Sequence, residues 1–275
     1  MSRTVLAFPA DTHSGSTVGL MRYKPWQLDT GGTYHPSPAQ RIIWKQWMEC
    51  WGAIRNLRNT GDRLIITMMG DAVDGKHHET SELITARIEE QERIYIDAMD
   101  WALEYAGFRA GDVLQFVSGT PVHVGEMAQS ERRICEDLNG RGIYDRLKFE
   151  VDGVRFDCAH DGIAVGSRAW TDDNSFHMAV KSMLFQSLLT RSEPPHYVIR
   201  AHRHRFTPTD YARGAYRIEG FICPAMQLKS TYAHRVTTSN NERPDIGMLI
   251  VVVDDGKSTW QCPMVTWPKD KYEAI

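Results

Sequence analysis

This sequence lacks long apolar runs, paired cysteines and a surplus of positive charge, and each absence excludes a class of protein. No uninterrupted apolar stretch approaches the roughly 20 residues of a membrane span, and the first residues lack the apolar core of a signal peptide. The five cysteines are scattered, with no C-x-x-C spacing, which favours reduced thiols in a cytosolic protein. The net charge of −3 gives the chain as a whole no basic nucleic-acid footprint. We therefore expect a cytoplasmic protein with no membrane partner.

The composition that remains is that of an ordinary globular domain. At 275 residues, with 42% hydrophobic and 24% charged residues, the chain can bury a substantial core. It contains no internal repeat and no low-complexity linker. We predict a single domain over residues 1–275, in which the Gly-, Thr- and Pro-rich segment 14–37 borders the functional site and residues 14–59 form a partial cap.

Strand and helix patterns alternate along the chain, which predicts an α/β fold of mixed sheets with helices outside. The predicted strands are 4–8, 63–69, 112–118, a hairpin over 148–158 with a turn at 152–153, then 197–201, 215–222, 247–253 and 259–265. The predicted helices are 38–59, 79–106, 126–138 and 174–190. Ser37 is the expected cap of the first helix, with Pro38 at its first position.

Two other patterns have a structural interpretation. Trp44, Trp47 and Trp51 recur at helical spacing, which is more typical of a core stripe than of a platform for stacking bases. The run Glu131-Arg132-Arg133 is interpreted as a solvated helix face.

Residues of the kind that bind metals follow several of the predicted strands. Each one comes directly after an apolar run, and together they are Asp11, His13, Asp71, His160, His202 and His204. Buried strands that carry carboxylates and imidazoles at their carboxyl ends build a site at one rim of a sheet. Mixed oxygen and nitrogen ligands suit Mn, Fe, Zn or Ni better than Ca. The set predicts a metal site, although any one of these histidines alone is more typical of a structural residue.

The spacing within each motif is consistent with metal binding. Asp11 and His13 are two residues apart, and alternate side chains of an extended segment share a face. His202 and His204 have the same spacing, and we expect them also to lie on an extended segment. Asp71 follows Gly70 at a sharp turn, where its two oxygens suit it to bridge two ions.

The motifs, in this order, resemble those of the calcineurin-like metallophosphoesterases, whose pattern is D-x-H, G-D-x-x-D, G-N-H, H and G-H-x-H. The matching residues are Asp11-Thr-His13, Gly70-Asp71-Ala-Val-Asp74, Gly119-Thr-Pro-Val-His123, His160 and Ala201-His202-Arg-His204. Three further segments are similar to members encoded by phages and prophages: His160-Asp-Gly162, Gly166-Ser-Arg-Ala-Trp170 and Cys223-Pro-Ala-Met-Gln-Leu-Lys229.

The resemblance implies a four-layer αββα sandwich of two mixed β-sheets flanked by helices. It also implies two divalent metal ions, with Mn preferred and Fe, Zn or Ni as alternatives. One ion would be held by Asp11, His13, Asp71 and His204, and the other by Asp71, His160 and His202. The implied activity is two-metal hydrolysis of phosphate esters through a metal-bridging hydroxide.

Two departures from the family pattern affect these expectations. Gly119-Thr120 is followed by Pro121 and Val122 before His123, so the family's asparagine ligand is missing. Thr120, a water or His123 could take its place, and we expect the second ion to bind more weakly than the first. We predict that His123 acts as the acid for the leaving group or as a phosphate contact, oriented by Asp74. Ala201 replaces a glycine, which is tolerated if its φ is not positive.

The predicted substrate is a phosphodiester, either DNA or a nucleotide. Arg168 is predicted to clamp a phosphate beside a base-stacking Trp170, and His78, with His77, to line the cleft. Surface loops are the structural alternative for all four residues. Alternative functions are a phosphomonoesterase, including a protein phosphatase, and a non-catalytic scaffold that keeps the fold.

Overall fold

Strands and helices alternate through most of the chain, and the computed structural model describes residues 3–76, 82–161, 173–230 and 244–266. The strands are β1 (Thr4–Phe8), β2 (Trp26–Gln27), β3 (Thr33–Tyr34), β4 (Arg63–Met68), β5 (Val113–Val117), β6 (Ile143–Tyr144), β7 (Arg146–Val151), β8 (Val154–Ala159), β9 (Tyr197–Arg200), β10 (Thr207–Arg213), β11 (Tyr216–Ile222), β12 (Asp245–Gly247), β13 (Leu249–Asp254), β14 (Lys257–Gln261) and β15 (Met264–Thr266). The helices are α1 (Pro38–Leu57), α2 (Ile88–Tyr105), α3 (Pro121–Val124), α4 (Gln129–Asp137) and α5 (Asn174–Thr190).

Two large sheets form the framework. The first has six strands in the order β14-β13-β1-β4-β5-β6, with β1, β4, β5 and β6 parallel to their neighbours and β13 antiparallel to β1. The second has five strands in the order β10-β11-β9-β8-β7, parallel in its centre and antiparallel at both edges. Both sheets are therefore mixed, as predicted.

Among the described residues, three of the apolar cores separate four layers of sheets and helices. Along β1, Val5 and Ala7 face a core shared with α1, α2 and α4, whereas Leu6 and Phe8 face the second sheet. A third core lies between the outer face of the second sheet and α5. Because side chains alternate along a strand, each central strand contributes to two cores. The predicted αββα class is confirmed by this arrangement.

Helix α1 follows the prediction closely. Ser37 caps it by accepting a hydrogen bond from Gln40 N, the Gln40 side chain returns to the Ser37 backbone, and Pro38 is the first helical residue. Trp47 and Trp51 are fully buried, so the tryptophan stripe belongs to the core.

Other elements differ from the prediction, and for three of them a local feature accompanies the difference. The described part of the second helix begins only at Ile88, with Arg87 in extended conformation. The strand predicted over 259–265 is divided into β14 and β15 by Pro263, which has no amide hydrogen to give to a ladder. The helix predicted over 126–138 begins at Gln129, because Met127 and Ala128 before it have left-handed backbone. Strand β10 was not predicted.

The segment before α1 packs against α2. Trp26 Nε1 and the backbone N–H of Asp29 both donate to Glu90, and the Asp29 carboxylate pairs with Arg93. These contacts do not test the partial cap, which stays a prediction. Within the described residues, no helix is both long enough and apolar enough to cross a membrane.

A buried ion-pair cluster lies on the outer face of the second sheet. Asp157 of β8 is 2% exposed and accepts hydrogen bonds from Arg146 and from the buried Arg200. Burial alone would raise the pKa of Asp157, but the hydrogen bond from Arg146 and the charge of Arg200 lower it. The ionised form of Asp157 therefore stabilises the fold.

We predict that Asp157→Asn lowers the free energy of unfolding by about 3 kcal/mol near neutral pH, because Arg200 keeps a buried charge without its partner. Since the folded-state pKa of Asp157 is lowered, its contribution is complete above the unfolded-state value of about 3.9 and is lost as pH falls through the folded-state value. Denaturant unfolding at pH 7 and pH 3 should show the difference between the two proteins shrinking in acid. Asp210→Asn, which removes an exposed partner of Arg217, should cost about 0.5 kcal/mol or less. A loss of equal size at both pH values would contradict this account.

Candidate metal centre

The carboxyl ends of two parallel strand pairs meet at one side of the sandwich. β1 and β4 are parallel neighbours in the first sheet, and β8 and β9 are parallel neighbours in the second. Chain segments that leave parallel strands at the same end emerge side by side. All six predicted metal-type residues follow these four strands, and the structure brings them together.

The backbone at five of these six residues is left-handed, so the extended segments predicted for Asp11–His13 and His202–His204 were wrong. The φ angles are 47° at Asp11, 42° at His13, 52° at Asp71, 71° at His202 and 53° at His204. Non-glycine residues in this left-handed region cost on the order of 1–3 kcal/mol each, and such residues cluster at functional sites. Tight turns, rather than strand alternation, turn each side chain toward the cleft.

Backbone hydrogen bonds between loops hold the turns in place. The N–H of Asp11 donates to Gly70 O at 3.1 Å and the N–H of His13 donates to Asp71 O at 3.0 Å, so the loops after β1 and β4 are joined. The N–H of His202 donates to Asp11 Oδ2 at 3.0 Å, which ties the loop after β9 to the first sheet.

The first cluster contains Asp11, His13 and His204. His13 Nε2 lies 3.2 Å from His204 Nε2, and His204 Nε2 lies 3.5 Å from Asp11 Oδ1. Two nitrogens bound to one ion at about 2.0–2.1 Å are themselves about 3.0–3.4 Å apart. The spacing of the two imidazoles therefore fits a shared ion.

The second cluster contains Asp71, His160 and His202. Asp71 Oδ2 lies 3.1 Å from His160 Nε2 and 3.9 Å from His202 Nδ1. His160 Nε2 is also 3.9 Å from Asp11 Oδ1, so the two clusters adjoin through His160.

Two of the three unsatisfied buried polar atoms in these clusters, the third being His13 Nδ1, support the fit to a cation. Asp11 Oδ1 and His160 Nε2 have no aligned hydrogen-bond partner among the described residues, although both side chains are almost fully buried. Buried polar atoms are nearly always satisfied, and an ion is one of the ways in which a native site satisfies them. The donor set of carboxylates and imidazoles suits a borderline divalent ion.

Acceptors behind the histidines orient their rings. His160 Nδ1 lies 2.6 Å from Met69 O, and His123 Nδ1 lies 2.7 Å from Asp74 O. His13 Nδ1 lies 3.3 Å from Asp74 Oδ1. A ring whose Nδ1–H donates outward has its Nε2 available on the inner side, which is the usual arrangement behind metal-binding histidines.

The electrostatics of the cleft are dominated by buried charge. For Asp71, burial would raise the pKa, but His160 brings it well below the usual value, and the pKa of Asp11 is lowered by His204 against the same burial effect. For His160, burial would lower the pKa, but Asp71 raises it to about 10. The buried carboxylates are thus kept ionised by positive charge, and a divalent ion could supply that charge instead.

The residues near the missing asparagine occupy defined positions. Thr120 N donates to Asp71 Oδ1 at 2.7 Å, and Thr120 Oγ1 lies 3.0 Å from both Asp71 oxygens. His123 is partly exposed, with Nε2 4.0 Å from Asp71 Oδ2. Asp74 was predicted to orient His123. The group of Asp74 that contacts Nδ1 of His123 is its main-chain carbonyl. The φ angle of Ala201 is not positive, so an alanine is tolerated where the family pattern has glycine.

Some predicted residues are not described, and others were missed. Arg168 and His78, with His77 and Trp170, lie outside the described residues. Gln227, which donates to Asp74 Oδ1 at 3.1 Å, was not singled out, although it stands in the phage-like segment Cys223–Lys229.

The interpretation of Glu131 as part of a solvated helix face was wrong. Glu131 is only 1% exposed. Burial raises the pKa of its carboxyl to about 7, although hydrogen bonds from Gly119 and Ala72 oppose the shift. Arg133 of the same run pairs with Glu92.

Comparison with known proteins finds solved structures with similar folds but assigns the chain to no family. No family model and no curated protein matches the sequence. The chain is similar to a solved archaeal phosphodiesterase, with 12% sequence identity and a TM-score of 0.42, and the match covers 94% of this chain and 99% of that chain. It is also similar to the Escherichia coli phosphoesterase YfcE, with 12% identity and a TM-score of 0.40, and that match covers 94% of this chain and 98% of the other. A third similar structure is the Thermus thermophilus sulfate thiohydrolase SoxB, with 11% identity and a TM-score of 0.43, and that match covers 97% of this chain and 57% of the other. Likenesses this distant carry no functional argument.

We predict that Mn²⁺ raises the thermal stability of the wild-type protein, because only the folded chain brings the ligands together. At a free Mn²⁺ concentration 100 times the dissociation constant, binding raises the free energy of unfolding by about 2.7 kcal/mol. Asp71→Asn should abolish this gain. The control Asp97→Asn, which removes a surface partner of Arg22 and Lys24, should retain it. Thermal melts with chelator and with Mn²⁺ measure the effect, and an undiminished gain in Asp71→Asn would contradict the assignment.

Proposed function

We propose that this protein is a metal-dependent phosphoesterase. The observation that carries the proposal is the pair of adjacent Asp/His clusters, Asp11–His13–His204 and Asp71–His160–His202, at the meeting ends of four strands. A structural role alone would not require five left-handed residues and buried, unsatisfied polar atoms in one cleft.

The proposed ligands follow the clusters. Asp11, His13 and His204 would hold one ion and His160 and His202 the other, with Asp71 contributing to both. Bound divalent ions, Mn preferred and Fe, Zn or Ni as alternatives, would activate water and neutralise phosphoryl charge. Two ions rather than one is part of the proposal, with the second ion bound more weakly because Thr120 stands where the resemblance implies an asparagine.

The other residues of the cleft would position groups and move a proton. With its Nδ1–H donated to the Asp74 carbonyl, His123 can carry a second proton on Nε2 and give it to the leaving oxygen. The Asp74 carboxylate contacts His13 and accepts from Gln227, so the same residue supports a proposed ligand and the proposed acid. This shared support would fix the distance between the metal ligands and the acid.

The finer proposal is a phosphodiesterase that acts on DNA or a nucleotide. Its support is the similarity of three sequence segments to phage-encoded members, together with Arg168 and His78 as proposed substrate contacts. The net charge of −3 provides no general attraction to nucleic acid, so local contacts and bound ions would have to supply it.

We predict chelator-sensitive hydrolysis of bis-p-nitrophenyl phosphate in the presence of Mn²⁺. His123→Asn should lower turnover about 10²–10⁴-fold, because the leaving oxygen loses its acid, and should leave the metal content unchanged. His177→Asn on α5, whose ring contacts Thr209, is the matched control and should keep full turnover.

The outcomes separate the candidate functions. Faster hydrolysis of p-nitrophenyl phosphate than of the diester would replace the diesterase with a phosphomonoesterase. Metal binding without turnover on either ester would favour the scaffold. Loss of an ion in His123→Asn would show that His123 is a ligand.

A further inference from the structure

A buried carboxylate outside the proposed ligand set accepts hydrogen bonds from the loop that carries Asp71 and from the loop that carries Thr120. Glu131, the third residue of α4, is 1% exposed. Its Oε1 accepts a hydrogen bond from Ala72 N at 3.2 Å, and its Oε2 accepts one from Gly119 N at 2.8 Å. One side chain therefore joins the loop after β4 to the loop after β5.

The two bonded amides stand next to residues of the site. Ala72 follows Asp71, and Gly119 precedes Thr120, which donates through N and Oγ1 to the Asp71 carboxylate. The contacts form a closed ring that runs from Asp71 through Ala72, Glu131, Gly119 and Thr120 back to Asp71. A change in the spacing of the two loops would therefore move Asp71 relative to Thr120.

Glu131 bonds to these loops beyond the last backbone pairing between β4 and β5. The last registered pair between β4 and β5 is Met68 with Phe116, so the ladder ends before Asp71 and Gly119. Beyond that point the carboxylate accepts hydrogen bonds from the buried N–H of Ala72 and from the partly buried N–H of Gly119. The loops are in close contact, since a Cβ on Gly119 would collide with the backbone nitrogen of Asp71.

The start of α4 shows that the placement of Glu131 is costly. Met127 and Ala128 both have left-handed backbone, with φ of 59° and 53°, and Ala128 caps the helix without a side-chain hydrogen bond. Left-handed backbone and burial of a carboxylate are both unfavourable. A fold that needed only to pack α4 could have avoided both.

From this geometry we propose that Glu131 is a positioning residue, which fixes the spacing of the Asp71 and Thr120 loops and thereby the metal affinity of the second cluster. The inference rests on the proposed function, because it presumes that Asp71, His160 and His202 bind an ion. Glu131 would touch neither metal nor substrate.

Glu131→Gln tests the role with a nearly isosteric change. The amide keeps one acceptor oxygen, but its NH₂ group faces a main-chain N–H, so only one of the two loops stays bonded. The matched control is Glu92→Gln, which removes another buried carboxylate and weakens the pair that Arg133 of α4 makes with α2. Any general effect of loosening α4 should appear in both variants.

The measurement is a titration of the chelator-treated 275-residue chain with Co²⁺, followed by calorimetry and by the visible absorption of the bound ion. Denaturant unfolding of the metal-free proteins runs alongside. We expect both variants to lose stability, but only Glu131→Gln to bind Co²⁺ about 10–100-fold more weakly and with a changed spectrum, because Asp71 moves. Wild-type affinity and spectrum in Glu131→Gln, or an equal loss in Glu92→Gln, would overturn the proposal.

A second variant covers the case in which Glu131→Gln does not fold. Glu131→Asp keeps the carboxyl group but is one methylene shorter, so its oxygens should no longer reach both loops. It should weaken Co²⁺ binding, and unchanged binding would overturn the proposal. If the wild-type protein itself binds no Co²⁺, the proposed function fails, and the inference fails with it. Wild-type binding that is unchanged in the variants removes the inference alone.

Discussion

The burial of two carboxylates in one cleft is the constraint on which the rest of the site depends. Asp11 and Asp71 are almost fully buried, and their charges require compensation that a protein interior does not otherwise provide. The surrounding imidazoles supply it in the metal-free chain, and divalent ions would supply it in the proposed enzyme. Loop hydrogen bonds, ring orientation by carbonyls and the position of Glu131 all serve to hold these charges near one another.

The left-handed backbone at five of the six predicted ligands shows how much local preference is overridden there. Left-handed turns suit glycine, and Gly70 beside Asp71 is the kind of residue that such a turn favours. At the ligands themselves the side-chain chemistry is required, so histidine and aspartate occupy conformations that they rarely adopt. Contacts between the loops and the two sheets stabilise these conformations.

Apolar periodicity and residue order were enough to predict α1 with its cap, the 174–190 helix and the identity of the clustered residues, whereas the layer order was implied by the resemblance to the metallophosphoesterases. The turns could not, since D-x-H and H-x-H have the same spacing on an extended segment and on a left-handed one. Glu131 was assigned to the surface because charged residues adjoin it; only the tertiary fold brings the Ala72 and Gly119 amides to its oxygens. Pro263 was the available signal for dividing the last predicted strand.

Each metal cluster draws residues from both sheets. The first takes Asp11 and His13 from the loop after β1 and His204 from the loop after β9, which lies 191 residues from His13 in sequence. The second takes Asp71 from the first sheet and both histidines from the second. An ion in either cluster would therefore act as a cross-link between the halves of the sandwich, and a folding intermediate with only one sheet formed would lack both of these clusters. Metal affinity in this architecture reports on how closely the two sheets are docked.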